Sequence, residues 1–150
     1  MVNQMRDKII RIHWSKALPI DEVIESDISN SQGLYYISRV FGSKETSLYL
    51  GIATKNNTIR HRLKAHRDSW LTLYRGKINV RVGEVIYPRK ADAQIIDHAE
   101  SAILYEQSDI FIENTDKTKG YTYLDLYRIE NEGDIFELKP SIRMHEHDES

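Results

Sequence analysis

The sequence predicts an α+β fold, in which helices pack on a small antiparallel or mixed sheet. A β-prone hairpin pattern at 34–52 is followed by an amphipathic helical pattern at 58–74. A further strand pattern at 78–87 then precedes a second helical pattern at 90–106. At this length we expect a single domain, 1–150, that can bury a sizeable core.

The first third of the chain contains short strands and one short helix. Residues 9–14 are apolar and β-prone, which predicts a strand, and a short helix with a proline near its first turn is expected at 19–25. The hairpin consists of strands at 34–41 and 47–52, which are joined by a connection at 42–46. Because side chains alternate along a strand, the two adjacent tyrosines of the first hairpin strand should face opposite sides of the sheet.

Both helical patterns have an apolar face. The stripe of the first is formed by Ile59, Leu63, His66, Trp70 and Leu73. Arg62 lies at the edge of this stripe, on the same face as His66 four residues later. The apolar face of the second helix is formed by Ile96, Ala99, Ala102 and Ile103. Glu100 borders that face, which places one carboxyl group at the margin of the expected core.

The remaining segments complete the expected fold. The strand before the second helix changes its alternation at Gly83, which predicts a bulge there. Residues 108–119 are polar and irregular, and strands at 121–129 and 135–138 are predicted to form a C-terminal hairpin. The tail at 144–150 is expected to be disordered.

The composition excludes several classes of site. The chain has no cysteine, so disulfides, thiolate metal sites and a cysteine nucleophile are ruled out. The first residues lack the apolar core of a signal peptide, and no stretch approaches the roughly 18 apolar residues that a membrane span needs. We therefore expect a cytoplasmic protein that does not bind a membrane.

Charge is unevenly distributed along the chain. The net charge is −2, yet residues 55–90 contain ten Lys or Arg and two acidic residues, a net of +8. Such asymmetry indicates a polyanionic partner, although a solvated basic surface would have the same composition. The candidate nucleic-acid-binding residues are Lys55, Arg60, Lys64, Arg67, Arg75 and Lys77.

Five sequence elements occur in an order that resembles the GIY-YIG nuclease superfamily. Gly33-Leu34-Tyr35 stands at the family's Gly-Ile-Tyr position, and Tyr49-Leu50-Gly51 stands at its Tyr-Ile-Gly position. The segment 62–66 is similar to the family's Arg-x-x-x-His helix. Glu100 matches its metal-binding glutamate and Asn114 its late asparagine, so the resemblance covers about 33–114.

The resemblance implies a more specific fold. It implies a three-stranded central sheet, flanked by helices, with one strand each from the segments that contain Leu34, Tyr49 and Ile78. The N-terminal strand and the C-terminal hairpin would then be additions outside this sheet.

The resemblance also implies roles for the matching residues. Tyr35 would act as general base although the unperturbed pKa of tyrosine is about 10, and the charge of Arg62 would favour its phenolate. Arg62 would stabilise the phosphate, and Glu100 would hold one Mg²⁺ or Mn²⁺ ion. Tyr49 would orient groups around the phosphate. Each residue type also has an ordinary explanation, as a core tyrosine, a surface cation or a solvated helix glutamate.

Two of the expected site residues keep alternatives. His66 is expected to hydrogen-bond either the Tyr35 hydroxyl or the attacking water, and as a residue of an apolar stripe it could simply fill the core. Asn114 could brace the site, contact substrate or be an ordinary loop asparagine.

These inferences predict a metal-dependent endonuclease that hydrolyses phosphodiester bonds of nucleic acid, with DNA the expected substrate. Two alternatives stay open. One is a nucleic-acid-binding module that has the fold without the activity, and the other is a protein-interaction domain. Cleavage of plasmid with and without Mg²⁺ separates the nuclease from both, and salt-sensitive binding separates the two alternatives.

Overall fold

The computed structural model describes residues 8–114 and 127–143, which form one strongly curled, half-barrel sheet with helices against it. The strands are β1 (Lys8–Trp14), β2 (Leu18–Pro19), β3 (Gly33–Phe41), β4 (Lys44–Ala53), β5 (Lys77–Tyr87), β6 (Tyr127–Gly133) and β7 (Ser141–Arg143). Their order is β4-β3-β5-β1-β6-β7, and β2 pairs with β5. The β1–β6 pair is parallel and the other pairs are antiparallel.

Three α-helices accompany this sheet in the described residues. They are α1 (Ile20–Glu25), α2 (Ile59–Arg67) and α3 (Ala93–Gln107), and single 3₁₀ turns lie at Asp27–Ser29 and Trp70–Leu73. In the part of the chain that the structure describes, none of these helices is both long enough and apolar enough to cross a membrane.

The expectation of a small three-stranded sheet flanked by helices is wrong. β3, β4 and β5 do pair as the hairpin and third strand predicted, but the sheet continues beyond them. β1 pairs along the outer edge of β5, from Arg11 opposite Tyr87 to Trp14 opposite Gly83. An uncovered edge of β5 would expose a row of unpaired backbone groups, and β1 satisfies them. The N-terminal strand is therefore an internal strand of the sheet.

The predicted C-terminal hairpin is also wrong in its pairing. β6 pairs in parallel with β1, beginning with Tyr127 opposite Lys8, and its antiparallel partner is the short strand β7. The turn expected inside the hairpin is instead the end of β6. Ile135 and Leu138 belong to a turn, in which the Leu138 N–H donates to the Ile135 carbonyl at 2.8 Å. Residues 115–126 and the tail at 144–150 lie outside the described residues.

The two faces of the sheet carry separate cores, which confirms the predicted alternation in β3. Tyr35 packs with Ile59 and Leu63 of α2 on one face. Tyr36 packs on the other face, with Ile96 and Ile103 of α3. Neighbouring residues of one strand therefore belong to different environments.

The helix predicted at 58–74 is shorter than its apolar pattern. α2 ends at Arg67, and Asp68 is its C-cap residue. The chain then makes the 3₁₀ turn, so the 3.6-residue period of the predicted stripe is lost. As a result Leu73, expected in the stripe, is 84% exposed, whereas Trp70 still packs against the core.

The predicted bulge exists at a different place. β5 pairs with β3 without interruption up to Gly83 opposite Leu34. The irregularity lies on the other edge of β5, where Arg11 and Ile12 of β1 pair with Tyr87 and Val85. Ile86 of β5 therefore has no partner in β1, and it lies three residues after the expected position of the bulge, Gly83.

A buried arginine links distant parts of the sheet on the α3 side. Arg81 of β5 contacts the carboxylates of Glu45 at 2.6 Å and Asp134 at 3.1 Å. Its guanidinium also lies over the rings of Tyr36 and Phe136, at 5.4 and 4.9 Å from their centroids. Glu45 lies in β4, and Asp134 directly follows β6. The contacts of Arg81 therefore connect these two parts of the sheet.

We predict that Arg81→Met destabilises the protein by about 2 to 4 kcal/mol, because two partly buried carboxylates lose their counter-ion. Chemical denaturation measures this change. Arg67→Met is the matched control, since Arg67 also bridges two carboxylates, Asp21 and Asp68, but on an exposed surface. Its cost should be much smaller, because both carboxylates stay in water without their partner. Equal costs for the two variants would show that burial of the Arg81 network is unimportant.

Candidate active site

Tyr35 lies at the centre of the candidate site because β3 is flanked by β4 and β5. Its cross-strand partner in β4 is Gly51. A Cβ atom at residue 51 would overlap the ring carbon and hydroxyl oxygen at the end of Tyr35. Gly51 therefore leaves the space in which the Tyr35 ring lies down on the neighbouring strand. The glycine of the second motif is explained by this close approach.

The helix α2 brings two further residues to this ring. Thr58 caps the helix by accepting a hydrogen bond from the His61 N–H at 3.1 Å. The Ile59 N–H donates to the Ser31 carbonyl at 2.9 Å, which holds the helix start beside the loop that leads into β3. Burial of Ile59 and other apolar residues then fixes the rotation of the helix. As a result, Arg62 and His66 face the sheet.

His66 makes the hydrogen bond to Tyr35 that was one of its two expected contacts. Its Nε2 atom is 2.9 Å from the Tyr35 hydroxyl oxygen. The rings of Tyr49 and His66 have centroids 4.7 Å apart, and Tyr35 and Tyr49 stack at 6.1 Å. Trp70 borders this group, 5.7 Å from Tyr49. Both motif tyrosines and the motif histidine therefore form one aromatic cluster.

Arg62 supplies a positive charge beside the two tyrosine hydroxyls. Its guanidinium is within hydrogen-bonding reach of Tyr35 and Tyr49, and their proximity raises the pKa of Arg62. Arg60, two residues earlier, turns away and is used elsewhere. The structure thus brings Arg62 together with both tyrosines and leaves the competing arginine outside the cluster.

Burial has the largest effect on the pKa of Tyr35 in the free protein. Desolvation raises the pKa of Tyr35 well above its usual value, and the proximity of Tyr49 and of the Glu100 carboxylate adds to this. Arg62 lowers the pKa of Tyr35, as expected, but its effect is smaller than that of burial. Tyr35 is therefore a neutral phenol rather than the phenolate that Arg62 alone would favour.

Glu100 approaches the site from the third turn of α3. The helix begins after Asp92, whose side chain accepts a hydrogen bond from the Ile95 N–H at 2.9 Å. Glu100 is 6% exposed, so it is buried rather than placed at the margin of the apolar face. Its charge contributes to the raised pKa of Tyr35, which shows that the two groups are close enough to interact.

Glu100 offers the kind of oxygen ligand that Mg²⁺ or Mn²⁺ prefers. Mg²⁺ is commonly held by one or two carboxylates and keeps several waters, so a single carboxylate is enough for such an ion. Within residues 8–114 and 127–143, no cluster of three or more His, Asp or Glu side chains is arranged to hold a metal. An ion bound here would have Glu100 as its protein carboxylate, with water completing the coordination.

Asn114 braces the strand that carries Tyr49. Its side-chain oxygen accepts a hydrogen bond from the Leu50 N–H, and its side-chain nitrogen donates to the Leu50 carbonyl, both at 2.8 Å. The Glu113 N–H also donates to the Leu48 carbonyl at 2.9 Å. Since β4 is an edge strand, these bonds satisfy its free backbone groups. Of the alternatives for Asn114, the geometry favours the bracing role.

The six basic residues expected at a nucleic-acid surface divide into two groups. Arg60 donates to the backbone carbonyls of Ile24 and Ser26 at 2.7 and 3.0 Å, so it fastens the end of α1. Arg67 is paired with Asp21 and Asp68, both at 3.0 Å. The exposed members of the set are Lys55, Lys64, Arg75 and Lys77. These four remain the candidates for phosphate contacts.

One residue of the cluster was recognised in the sequence only as part of an apolar stripe. The indole N–H of Trp70 donates to the Nδ1 atom of His66 at 2.8 Å. A buried tryptophan usually finds a partner for its N–H, and the four-residue spacing from His66 is the signal that could have identified it.

We predict that His66 makes stability depend on pH. Burial and the charge of Arg62 lower its pKa from 6.5 to about 4 in the folded protein. Between these two pH values the unfolded chain binds the proton and the folded protein does not, so stability falls as pH falls. His66→Gln should therefore lose less stability between about pH 7 and about pH 5 than the unaltered protein.

Denaturant unfolding at the two pH values measures this effect. His61→Gln is the control, because it makes the same substitution at an exposed position of the same helix. If His66→Gln loses as much stability on acidification as the unaltered protein, the histidine is not buried in its neutral form.

Comparisons with protein-family models, with curated proteins and with solved structures gave no match for this chain, so the geometry of the site carries the functional argument.

Proposed function

We propose that this protein is a metal-dependent endonuclease of the GIY-YIG type that hydrolyses phosphodiester bonds of nucleic acid, with DNA as the substrate and the cytoplasm as its location. The observation that supports this most is the meeting of four residues from two strands and one helix. One cluster contains Tyr35, Tyr49, Arg62 and His66. The charge of Glu100 contributes to the raised pKa of Tyr35 in this cluster. These are the residues whose chemistry phosphodiester hydrolysis requires.

Arg62 would bind the scissile phosphate. A guanidinium matches two phosphate oxygens with parallel hydrogen bonds and stays charged at every relevant pH. In the free protein the guanidinium of Arg62 lies beside the hydroxyls of Tyr35 and Tyr49, and its pKa is raised, so it stays charged. A phosphate would therefore meet a positive charge that is already present at the site.

Tyr35 would take the proton of the attacking water as a phenolate, after it has released its own proton to solvent. Its hydroxyl is fixed from one side by His66 and approached by Arg62, so it could orient a water for in-line attack. The raised pKa of Tyr35 opposes this role, and Arg62 offsets part of the opposition. Glu100 would hold Mg²⁺ or Mn²⁺, and the ion, when bound, would withdraw charge from the phosphate and stabilise the leaving oxygen.

A catalytically inactive module is the second candidate. It would bind nucleic acid or another protein through the same surface. The observation in its favour is the burial of Tyr35. Burial raises the pKa of Tyr35 strongly, so the phenolate that could act as a base is rarely formed. Incubation with plasmid, with and without Mg²⁺, separates the two candidates.

We expect Tyr35→Phe and Arg62→Ala each to reduce the cleavage rate at least about a hundredfold, the low end for loss of a general base or of a transition-state charge. Single-turnover cleavage of a labelled duplex measures the rate. Tyr36→Phe is the matched control, since it removes a hydroxyl from the neighbouring residue on the other face of the sheet. A larger loss in Tyr36→Phe than in Tyr35→Phe would place the chemistry on the face of β3 that carries Tyr36.

Glu100→Gln should separate cleavage from binding. The substitution keeps the size and helix propensity of the side chain and removes the charge that would hold the ion. We expect a folded protein that binds nucleic acid with unchanged, salt-sensitive affinity and does not cleave it at ordinary Mg²⁺ concentration. Binding is measured by fluorescence anisotropy over a salt series, and cleavage is measured on the same duplex.

The outcomes of this experiment distinguish the candidates. Full activity of Glu100→Gln would remove the metal assignment. Salt-sensitive binding by an unaltered protein that never cleaves would identify a nucleic-acid-binding module. An unaltered protein that neither cleaves nor binds would identify an interaction domain.

A further inference from the structure

We infer that Trp70 is a positioning residue: its indole N–H fixes the tautomer of His66 and thereby makes His66 a hydrogen-bond donor to Tyr35. The meaning of this arrangement for catalysis rests on the proposed nuclease function. The tautomer itself is a property of the folded protein and is testable without any activity.

The first step concerns the Nδ1 atom of His66. The Nε1 atom of Trp70 lies 2.8 Å from it. An indole N–H can only donate a hydrogen bond, so Nδ1 must be the acceptor and cannot carry a proton. The doubly protonated imidazolium and the Nδ1–H tautomer are both incompatible with this contact.

The second step follows from the number of protons on a neutral imidazole. A neutral ring has one N–H, and with Nδ1 occupied as acceptor that proton must be on Nε2. The surroundings also favour a neutral ring, because His66 is 9% exposed and Arg62 is on the same face of α2. The rings of Tyr35, Tyr49 and Trp70 pack around it, with centroids 4.7 to 5.6 Å from that of His66.

The third step assigns the direction of the hydrogen bond to Tyr35. The proton on Nε2 points at the Tyr35 oxygen 2.9 Å away, so Tyr35 accepts this bond. Arg62 also approaches the Tyr35 hydroxyl, and a guanidinium has no acceptor. Two donors therefore approach one phenol oxygen, and the tyrosine's own proton must point away from both of them.

The consequence concerns the path of that proton. His66 cannot accept it, because the lone pair of Nε2 is already used by its own proton. In the proposed reaction His66 therefore stabilises charge on the Tyr35 oxygen as a donor and is not the base that removes the tyrosine proton. Trp70 contacts neither the substrate nor the reacting atoms in this account and acts through the tautomer alone.

The 3₁₀ turn after α2 explains how Trp70 keeps its position. The helix ends at Arg67, and the Ser69 hydroxyl donates to the Ala65 carbonyl at 2.7 Å, which continues the chain closely against the last helical turn. The Trp70 ring then packs edge-on against His66, with centroids 5.6 Å apart. The indole N–H is thus aimed at the histidine by the same turn that interrupts the predicted helix.

The test is nitrogen NMR of the histidine rings in the full-length protein at about pH 7, where ring-proton couplings to the two nitrogens distinguish the tautomers. The chain has six histidines, and His66→Gln assigns the signal. We expect His66 to be a pure Nε2–H tautomer in the unaltered protein. An Nδ1–H tautomer or an imidazolium there would overturn the inference, whatever the variants do.

Trp70→Phe removes the indole N–H and keeps an aromatic ring. We expect it to shift His66 towards the Nδ1–H tautomer, since the Tyr35 hydroxyl can then donate to Nε2. Trp14→Phe is the matched control: it removes the chain's other indole N–H, which donates to Asn131 at 2.9 Å on the opposite face. A pure Nε2–H signal in Trp70→Phe would overturn the assignment to Trp70.

The cleavage assay then tests the role of the tautomer in the proposed reaction. If the protein is a nuclease, Trp70→Phe should reduce the cleavage rate about 10- to 100-fold, as for groups that orient a site residue through one hydrogen bond. An unchanged rate together with a changed tautomer would overturn the positioning role. A protein that cleaves nothing, yet shows the expected tautomer and its shift, would refute the nuclease proposal and leave the tautomer assignment intact.

Discussion

The candidate site depends on one close approach, the ring of Tyr35 lying across Gly51 of the neighbouring strand. A side chain at residue 51 would lift the ring from the sheet and move its hydroxyl away from His66. Because Tyr35 is held between two paired strands, the position of its oxygen is set by backbone register on both sides. The helix that carries Arg62 and His66 is then fixed against the same face by its buried apolar residues.

The two adjacent tyrosines of β3 show how one strand can serve separate tasks. Tyr35 points to the candidate site, and Tyr36 points to the face where Arg81 bridges distant strands. On that face the Tyr36 hydroxyl contacts Ser47, whose own hydroxyl donates to Glu137 at 2.6 Å. A shift of the β3 register by one residue would move the rings of Tyr35 and Tyr36 to the opposite faces of the sheet. By stabilising the register, the Arg81 contacts also keep Tyr35 at the candidate site.

Local patterns in the sequence predict local structure well and strand partners poorly. The alternation in the hairpin and the apolar faces of both helices follow from spacing over a few residues. The contact of Tyr35 with His66, 31 residues later, was expected from the family resemblance and not from spacing. The parallel pairing of β1 with β6 joins segments more than a hundred residues apart, and alternation within a strand contains no information about which edge it will cover. Trp70 illustrates the same limit. Its spacing fits an apolar stripe, but its indole N–H donates a hydrogen bond to His66.

The charges around Tyr35 indicate what the site would need in order to act on a phosphate. Arg62 is its nearby cation, while Glu100 and an incoming phosphate would bring at least two negative charges into a partly desolvated cluster. In a partly desolvated site, the repulsion between the Glu100 carboxylate and the phosphate would be far stronger than in water. The single positive charge of Arg62 would not balance these two negative charges. A divalent cation held by Glu100 would restore the balance, and it would also lower the cost of charge on the buried Tyr35 oxygen. The burial that makes Tyr35 a weak base in the free protein would then strengthen every attractive contact once phosphate and cation are both present.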